Sequence, residues 1–229
     1  MASFLANGHK LHIFSYGPLD GVPAEVEVHD ASEIVPKSVA ETFRCPHQLS
    51  DFFRIALLYK SGGWYTDLDN VLVKSLDFPE LHVFYRDRDE FTISFALSKA
   101  PAGSPIMAHC YEFLNSMSRE DRENLSWQEI GSDFALGAVE YFQMTNFAKS
   151  GRTFDPVEWT NVESVVDPSV EWDLSQSYSV HFFHAIWNGG PHDRTGRGFD
   201  LGNRLDTPLW TDGKYPEGCL YEILKRRYL

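Results

Sequence analysis

Short runs of β-branched and aromatic residues alternate along the chain with longer stretches whose apolar positions recur at helical spacing. That alternation predicts strands and helices in turn. "KLHIFSY" (10–16) and "AEVEVHD" (24–30) read as strands separated by the turn-rich "GPLDGVP". In "SDFFRIALLYKSGG" the apolar residues Phe52, Phe53, Ile55, Ala56, Leu57 and Leu58 nearly surround a helix, which predicts burial between layers. Ser50 suits its N-cap, Asp51 its positive N-terminal end and Gly62 its stop. "WYTDLDNVLV" then reads as a strand carrying aspartates in its middle.

Further on, "HVFY" (82–85), "FTISFALS" (91–98) and "YSVHFF" (178–183) are strand segments. Ser104-Pro105 opens a helix whose Ile106, Cys110, Phe113, Leu114 and Met117 share one face. "SDFALGAVEYF" (132–142) and the closing "CLYEILKRRYL" are also helical, and residues 188–218, dense in Gly, Pro, Asp and Arg, read as a long loop. Strands alternating with helices imply an α/β fold: a mainly parallel sheet flanked by helices, with ligands at the carboxyl ends of its strands.

At 229 residues the chain is expected to be one domain, and 43% hydrophobic content supplies a sizeable core. The formal charge of −13 argues against a nucleic-acid partner, because phosphate backbones need a basic face. An acidic protein still binds an anionic small molecule when a divalent cation lies between them. Cys45, Cys110 and Cys219 are an odd number with no close pair, which suggests a reducing compartment. The sequence has no apolar run of about 18 residues and no signal-peptide pattern at its start, so the expected setting is cytoplasmic, without a transmembrane segment.

Residues two apart on a strand face one side, roughly 6–7 Å from each other. Asp67 and Asp69 would then share a site with Tyr65, too far apart to grip one ion symmetrically unless the chain bends. One carboxylate would bind a hard cation and the other reach it through water or hold a ligand hydroxyl. Asp51 and Arg54, three apart, share a helix face, and the guanidinium suits either a phosphate or a carboxylate. Together these residues form a pocket suited to a metal-bound diphosphate sugar. Singly, each has a structural explanation: D-x-D is common in an acidic chain, and Asp51–Arg54 is an ordinary helix pair. An EF-hand is excluded, since Leu72 stands where its glycine belongs and Phe78 where its last glutamate belongs.

"LSDFFRIALLYKSGGWYTDLDNVLVKSLD" closely resembles the S-D-x-x-R…L-Y-x-x-G-G-x-Y-x-D-x-D block of glycosyltransferases with a DXD sugar-binding region. These include family 32, with its initiating mannosyltransferases and α-1,4-galactosyltransferases. Matching positions are Ser50, Asp51, Arg54, Leu58, Tyr59, Gly62, Gly63, Tyr65, Asp67 and Asp69. The resemblance implies a GT-A fold, a UDP- or GDP-hexose donor, a hydroxyl acceptor, Mn²⁺ or Mg²⁺, and transfer with retention. It implies that Asp69 ligates the metal, and that Asp67 contacts donor hydroxyls and approaches the metal. Asp51 and Arg54 would hold the donor sugar, with Tyr65 near the nucleotide. His181, in a segment similar to the family's late V-H-x-W-N, would complete the metal site, although Phe183 and His184 depart from that pattern. Asp133 would reach acceptor or donor, and Trp187 would cap the donor; helix-end charge and core packing explain these two equally well. The basic "KRR" (225–227) suits the negative end of a helix.

Family members usually open with a strand that helps to hold the base. This sequence opens at a segment resembling the stretch just after it. The expectation is a fold lacking the usual first strand, with a truncated N-terminus, or one in which "KLHIFSY" has taken over the base-binding role. Two other classes fit the letters. "DLDNV" satisfies the D-x-D-x-[TV] signature of haloacid dehalogenase-type phosphatases, but Gly62-Gly63 interrupts the required apolar strand and the downstream lysine and acid cluster are not found. A non-catalytic sugar-binding protein would use the same aromatics for stacking alone.

Overall fold

The computed structural model describes residues 1–86, 92–126, 129–187 and 214–229. In chain order its elements begin with helix α1 (Ala2–Ala6), strands β1 (His12–Ser15) and β2 (Glu27–Asp30), and helices α2 (Lys37–Ala40) and α3 (Pro46–Ser61). There follow β3 (Gly63–Thr66), β4 (Asn70–Leu72), β5 (Val83–Arg86), β6 (Ile93–Ala100), α4 (Pro105–Ser116), α5 (Arg119–Asn124) and α6 (Ser132–Tyr141). The rest comprises β7 (Ala148–Lys149), α7 (Gly151–Phe154), a 3₁₀ segment (Trp159–Val166), β8 (Ser179–His181), α8 (His184–Trp187) and α9 (Leu220–Tyr228). Most of the predicted long loop, residues 188–213, lies outside the described residues.

The class is α/β, but the sheet is not mainly parallel. In the four-stranded sheet, ordered β3-β6-β5-β7, both β3–β6 and β5–β6 run antiparallel and only β5–β7 runs parallel. β1 and β2 form a separate parallel pair, and β4 and β8 a separate antiparallel one. The alternation of strand and helix misled because β5 and β6 are joined by residues 87–92 alone, too short for the crossover that parallel neighbours need, and because the Asp67–Asp69 turn carries the chain from β3 into a different sheet.

The two faces of the four-stranded sheet carry different cores. Phe84, Ile93 and Phe95 join α3, α4 and α6 in the larger core, whereas Val83, Tyr85 and Leu97 face Phe4, Leu72 and Phe154. Strict alternation would put Phe95 and Leu97 on one face. A register shift between Val83 and Tyr85 breaks it, and Ser94 and Ser98 satisfy the displaced backbone: Ser94 Oγ accepts from Ala96 N (3.2 Å) and Ser98 Oγ donates to Phe95 O (3.0 Å). A third core gathers Val180, Phe182, Ile186, Trp187, Leu220 and Leu224.

Two local expectations change. α3 begins at Pro46, one turn before Ser50, with Cys45 as its N-cap, so Ser50 is no cap and Asp51 lies in the second turn. Proline at the first helical position is the signal that outranked serine. On α4, Phe113 is exposed and stacked on Phe134, while Met107 takes the buried place.

Candidate active site

The bulged strand β6 is where the site begins. The Ala96 carbonyl accepts from Asp67 N–H (2.7 Å) and from Asn70 Nδ2 (3.2 Å), and Asn70 N–H closes the turn onto Asp67 O (3.3 Å). Asp67 and Asp69 therefore sit in a turn between two strands. That bend, not an extended strand, brings their carboxylates together, and the exposed Leu68 stands at its tip. Bulges commonly re-aim side chains beside functional sites.

α3 supplies one side. Arg54 Nη2 lies 3.1 Å from Asp51 Oδ1 and 3.1 and 3.2 Å from the two Asp67 oxygens. Tyr65 hydroxyl donates to Asp67 Oδ1 (2.7 Å), lies 3.2 Å from Ser50 Oγ, and its ring sits 5.3 Å from the guanidinium carbon. Burial pushes Asp51 up to about 7, helped by Asp67 and opposed by Arg54. Burial alone would strip charge from Arg54, but Asp67 and Asp51 outweigh it and keep the guanidinium charged.

β8 supplies the other side. Antiparallel pairing sets His181 opposite Asn70, and Phe182 N–H donates to Asp69 O (3.1 Å). Phe183 adopts φ 50°, and the turn it makes aims His184 N–H at Asp69 Oδ2 (2.9 Å). His181 Nε2 lies 3.2 Å from Asp69 Oδ1, and its Nδ1 is 3.9 Å from Asp155 Oδ2. Burial lowers the affinity of His181 for its proton, but Asp69 first, then Asp155 and Asp67, outweigh it and raise the pKa to about 9. Burial likewise works against an ionised Asp69, yet His181 and the His184 amide hold it well below the usual carboxylate range.

Asp67, Asp69 and His181 each offer a ligand atom within 4.8 Å of the others. Among the described residues, four carboxyl groups (Asp51, Asp67, Asp69, Asp155) face two cationic groups (Arg54, His181), which leaves an excess of negative charge. Two carboxylate oxygens and one imidazole nitrogen suit Mn²⁺ or Mg²⁺, so the residues present fit a divalent cation. His181 Nδ1 is buried without a hydrogen-bond partner among the described residues, and Asp155 is the carboxylate placed to orient the ring when Nε2 turns to a metal.

Two predicted residues stand elsewhere. Trp187 is 2% exposed and packs against Phe182, Tyr215 and Tyr221 in the third core. Asp133 is exposed in the first turn of α6, and among the described residues no hydrogen bond or ion pair joins it to this network. Sequence reasoning missed Asn70 and Asp155. Asn70 had a signal, a carboxamide directly after D-x-D where a turn must be tied; Asp155, 85 residues further on, had none. Asn70→Ala should cost about 1 kcal/mol of stability, the worth of one hydrogen bond, and weaken Mn²⁺ binding by loosening the turn. A melting curve beside a Mn²⁺ titration checks both, and unchanged metal affinity would count against Asn70 as the tie.

Residues 22–86 match the model of the "Glycosyltransferase sugar-binding region containing DXD motif" family, a stretch that runs from just before β2 through β5 and includes Asp67 and Asp69. No curated protein matches the chain. Among solved structures, one described as "PaToxG Glycosyltransferase" is similar at 19% identity, over 53% of this chain and 48% of that chain, with a TM-score of 0.39. The chain thus spans about half the length of that relative. Among the described residues no helix is long and apolar enough to cross a membrane.

Proposed function

We propose that the chain is a metal-dependent retaining glycosyltransferase with a GT-A-like fold, residues 1–229 acting as one catalytic domain. It moves a hexose from UDP or GDP to a hydroxyl acceptor. The observation that carries this reading is the convergence of Asp67, Asp69 and His181 at the turn of a segment matching the DXD sugar-binding region. Asp69, Asp67 and His181 would hold Mn²⁺ or Mg²⁺. When bound, such a cation neutralises charge on the departing nucleoside diphosphate.

The protein's own groups have separable tasks. Arg54 and Tyr65 fix the Asp67 carboxylate, and the His184 amide fixes that of Asp69, so neither must reorganise when a donor arrives. Asp51, with its pKa raised to about 7 by burial, is able to donate to or accept from a sugar hydroxyl. The carboxylates favour the positive charge that develops at the anomeric carbon, and no protein nucleophile is assigned. With Arg54 and Tyr65 both on its carboxylate, Asp67 is poorly placed as a phosphatase nucleophile. None of the three cysteines forms a disulfide, in keeping with a cytoplasmic setting.

Incubation with UDP- and GDP-hexoses and Mn²⁺ tests the proposal. Release of nucleoside diphosphate is expected, lost in excess EDTA, with the α-configured donor giving an α-configured product by NMR. Hydrolysis of phosphomonoesters instead, or sugar binding with no turnover of any donor, would overturn it.

A further inference from the structure

A second cluster of ligating side chains lies outside this site, on the β1–β2 pair. His12 pairs in register with Glu27, and His29 stands two residues beyond Glu27 on the same face. His12 Nδ1 lies 2.9 Å from His29 Nε2 and 3.4 Å from Glu27 Oε2, while His29 Nε2 lies 3.8 Å from Glu27 Oε2. A triangle with those sides has its equidistant point about 2.0 Å from every corner, the length of a zinc–nitrogen or zinc–oxygen bond. The His29 ring is held in place by Phe14, stacked on it at 5.0 Å, and Phe14 packs in turn on Phe53 of α3.

We propose that His12, Glu27 and His29 bind a borderline transition-metal ion, Zn²⁺ above all, which clips β1 to β2. Two imidazoles and one carboxylate select such an ion, whereas the two carboxylates and single imidazole at the Asp67–Asp69 turn suit a harder one. The three side chains are 46%, 60% and 33% exposed, so water can reach an ion lifted slightly out of the plane of the three ligand atoms and take its open position. The clip has a physical purpose. β1 and β2 form a two-stranded sheet of their own, and a lone pair of strands is only marginally stable. An ion bridging residues 12 and 29 closes the Gly- and Pro-rich connection between them. The net charge of −13 raises the local concentration of any cation.

The test is a Zn²⁺ titration of the metal-stripped full chain against a chromophoric chelator. The wild-type chain should bind one more equivalent than the His12→Ala/His29→Ala variant, and Asp69→Asn should keep that equivalent. At a free Zn²⁺ about 100 times the Kd of this site, linkage shifts the folding equilibrium of the wild type by a further factor of about 100 toward the native state, read as a rise in Tm larger than that of the double variant, which keeps only the Asp67–Asp69 cluster. Equal stoichiometry in wild type and double variant, or loss of the extra equivalent in Asp69→Asn, would overturn the proposal. If the double variant fails to fold, the wild-type imidazole NMR signals decide. Both His12 and His29 must shift together at one equivalent of Zn²⁺, and shifts confined to other histidines would equally refute the site.

Discussion

Asp69→Asn is expected to lower cation-dependent donor turnover by at least about 10²-fold. A metal's contribution to transition-state charge stabilisation is several kcal/mol, and each 1.36 kcal/mol is tenfold in rate. The carboxamide keeps the size of the side chain and one carbonyl oxygen, so the His184 amide retains an acceptor. What it loses is the charge that pairs with His181 Nε2 and that, in the proposed site, would hold the cation. Removing one partner of a buried ion pair usually costs stability heavily, but here His181 is free to release its proton and so limit the cost. Turnover against Mn²⁺ concentration, with circular dichroism on the same preparations, separates the effects. A folded variant that still turns over donor at the wild-type rate in Mn²⁺ would remove Asp69 from the metal site.

How much of this was legible depended on whether a feature is local. The helix "SDFFRIALLYKSGG", the strands at "KLHIFSY" and "FTISFALS" and the pairing of Asp51 with Arg54 follow from periodicity and spacing, and each is present. Strand pairing is not local. Nothing in "WYTDLDNVLV" announces that Thr66 and Asn70 enter different sheets, because the decision rests on the Ala96 carbonyl thirty residues later. The sequence spacing of Asp67 and Asp69 argued for a divided role on an extended strand; the bend that reunites them is made by tertiary contact. His181 was found through its resemblance to a late family segment, and its place beside Asp69 depends on the β4–β8 register. Trp187 shows the opposite case: an aromatic near the site in sequence, claimed by the core, where it packs on Phe182, Tyr215 and Tyr221.

The largest expected loss of stability comes from one methyl group. Gly62 ends α3 at φ 66°, ψ −166°, a conformation essentially closed to side-chain-bearing residues. A Cβ there would stand 2.3 Å from Ala102 N, 2.9 Å from Pro101 C and 3.1 Å from Ala100 O, all rigid backbone at the exit of β6. Gly103 N–H donates to Tyr59 O at 2.8 Å, so this backbone is tied to the end of α3 and cannot retreat cheaply. Gly62→Ala should therefore combine backbone strain of about 1–3 kcal/mol with overpacking of about 1–3 kcal/mol. The sum is a large share of the 5–15 kcal/mol that typically holds a domain folded. Gly63 makes the control: its φ is 90°, but a Cβ there meets nothing within 4 Å, so Gly63→Ala should show the strain alone. Urea denaturation of both variants measures the difference. The consequence reaches the site, because displacing β3 from β6 pulls on the Asp67–Ala96 hydrogen bond that aims the turn. Any Gly62→Ala protein that remains folded should bind Mn²⁺ more weakly than Gly63→Ala. Equal denaturation midpoints for the two variants would show that the close approach of Ala102 to Gly62 is not what holds this joint.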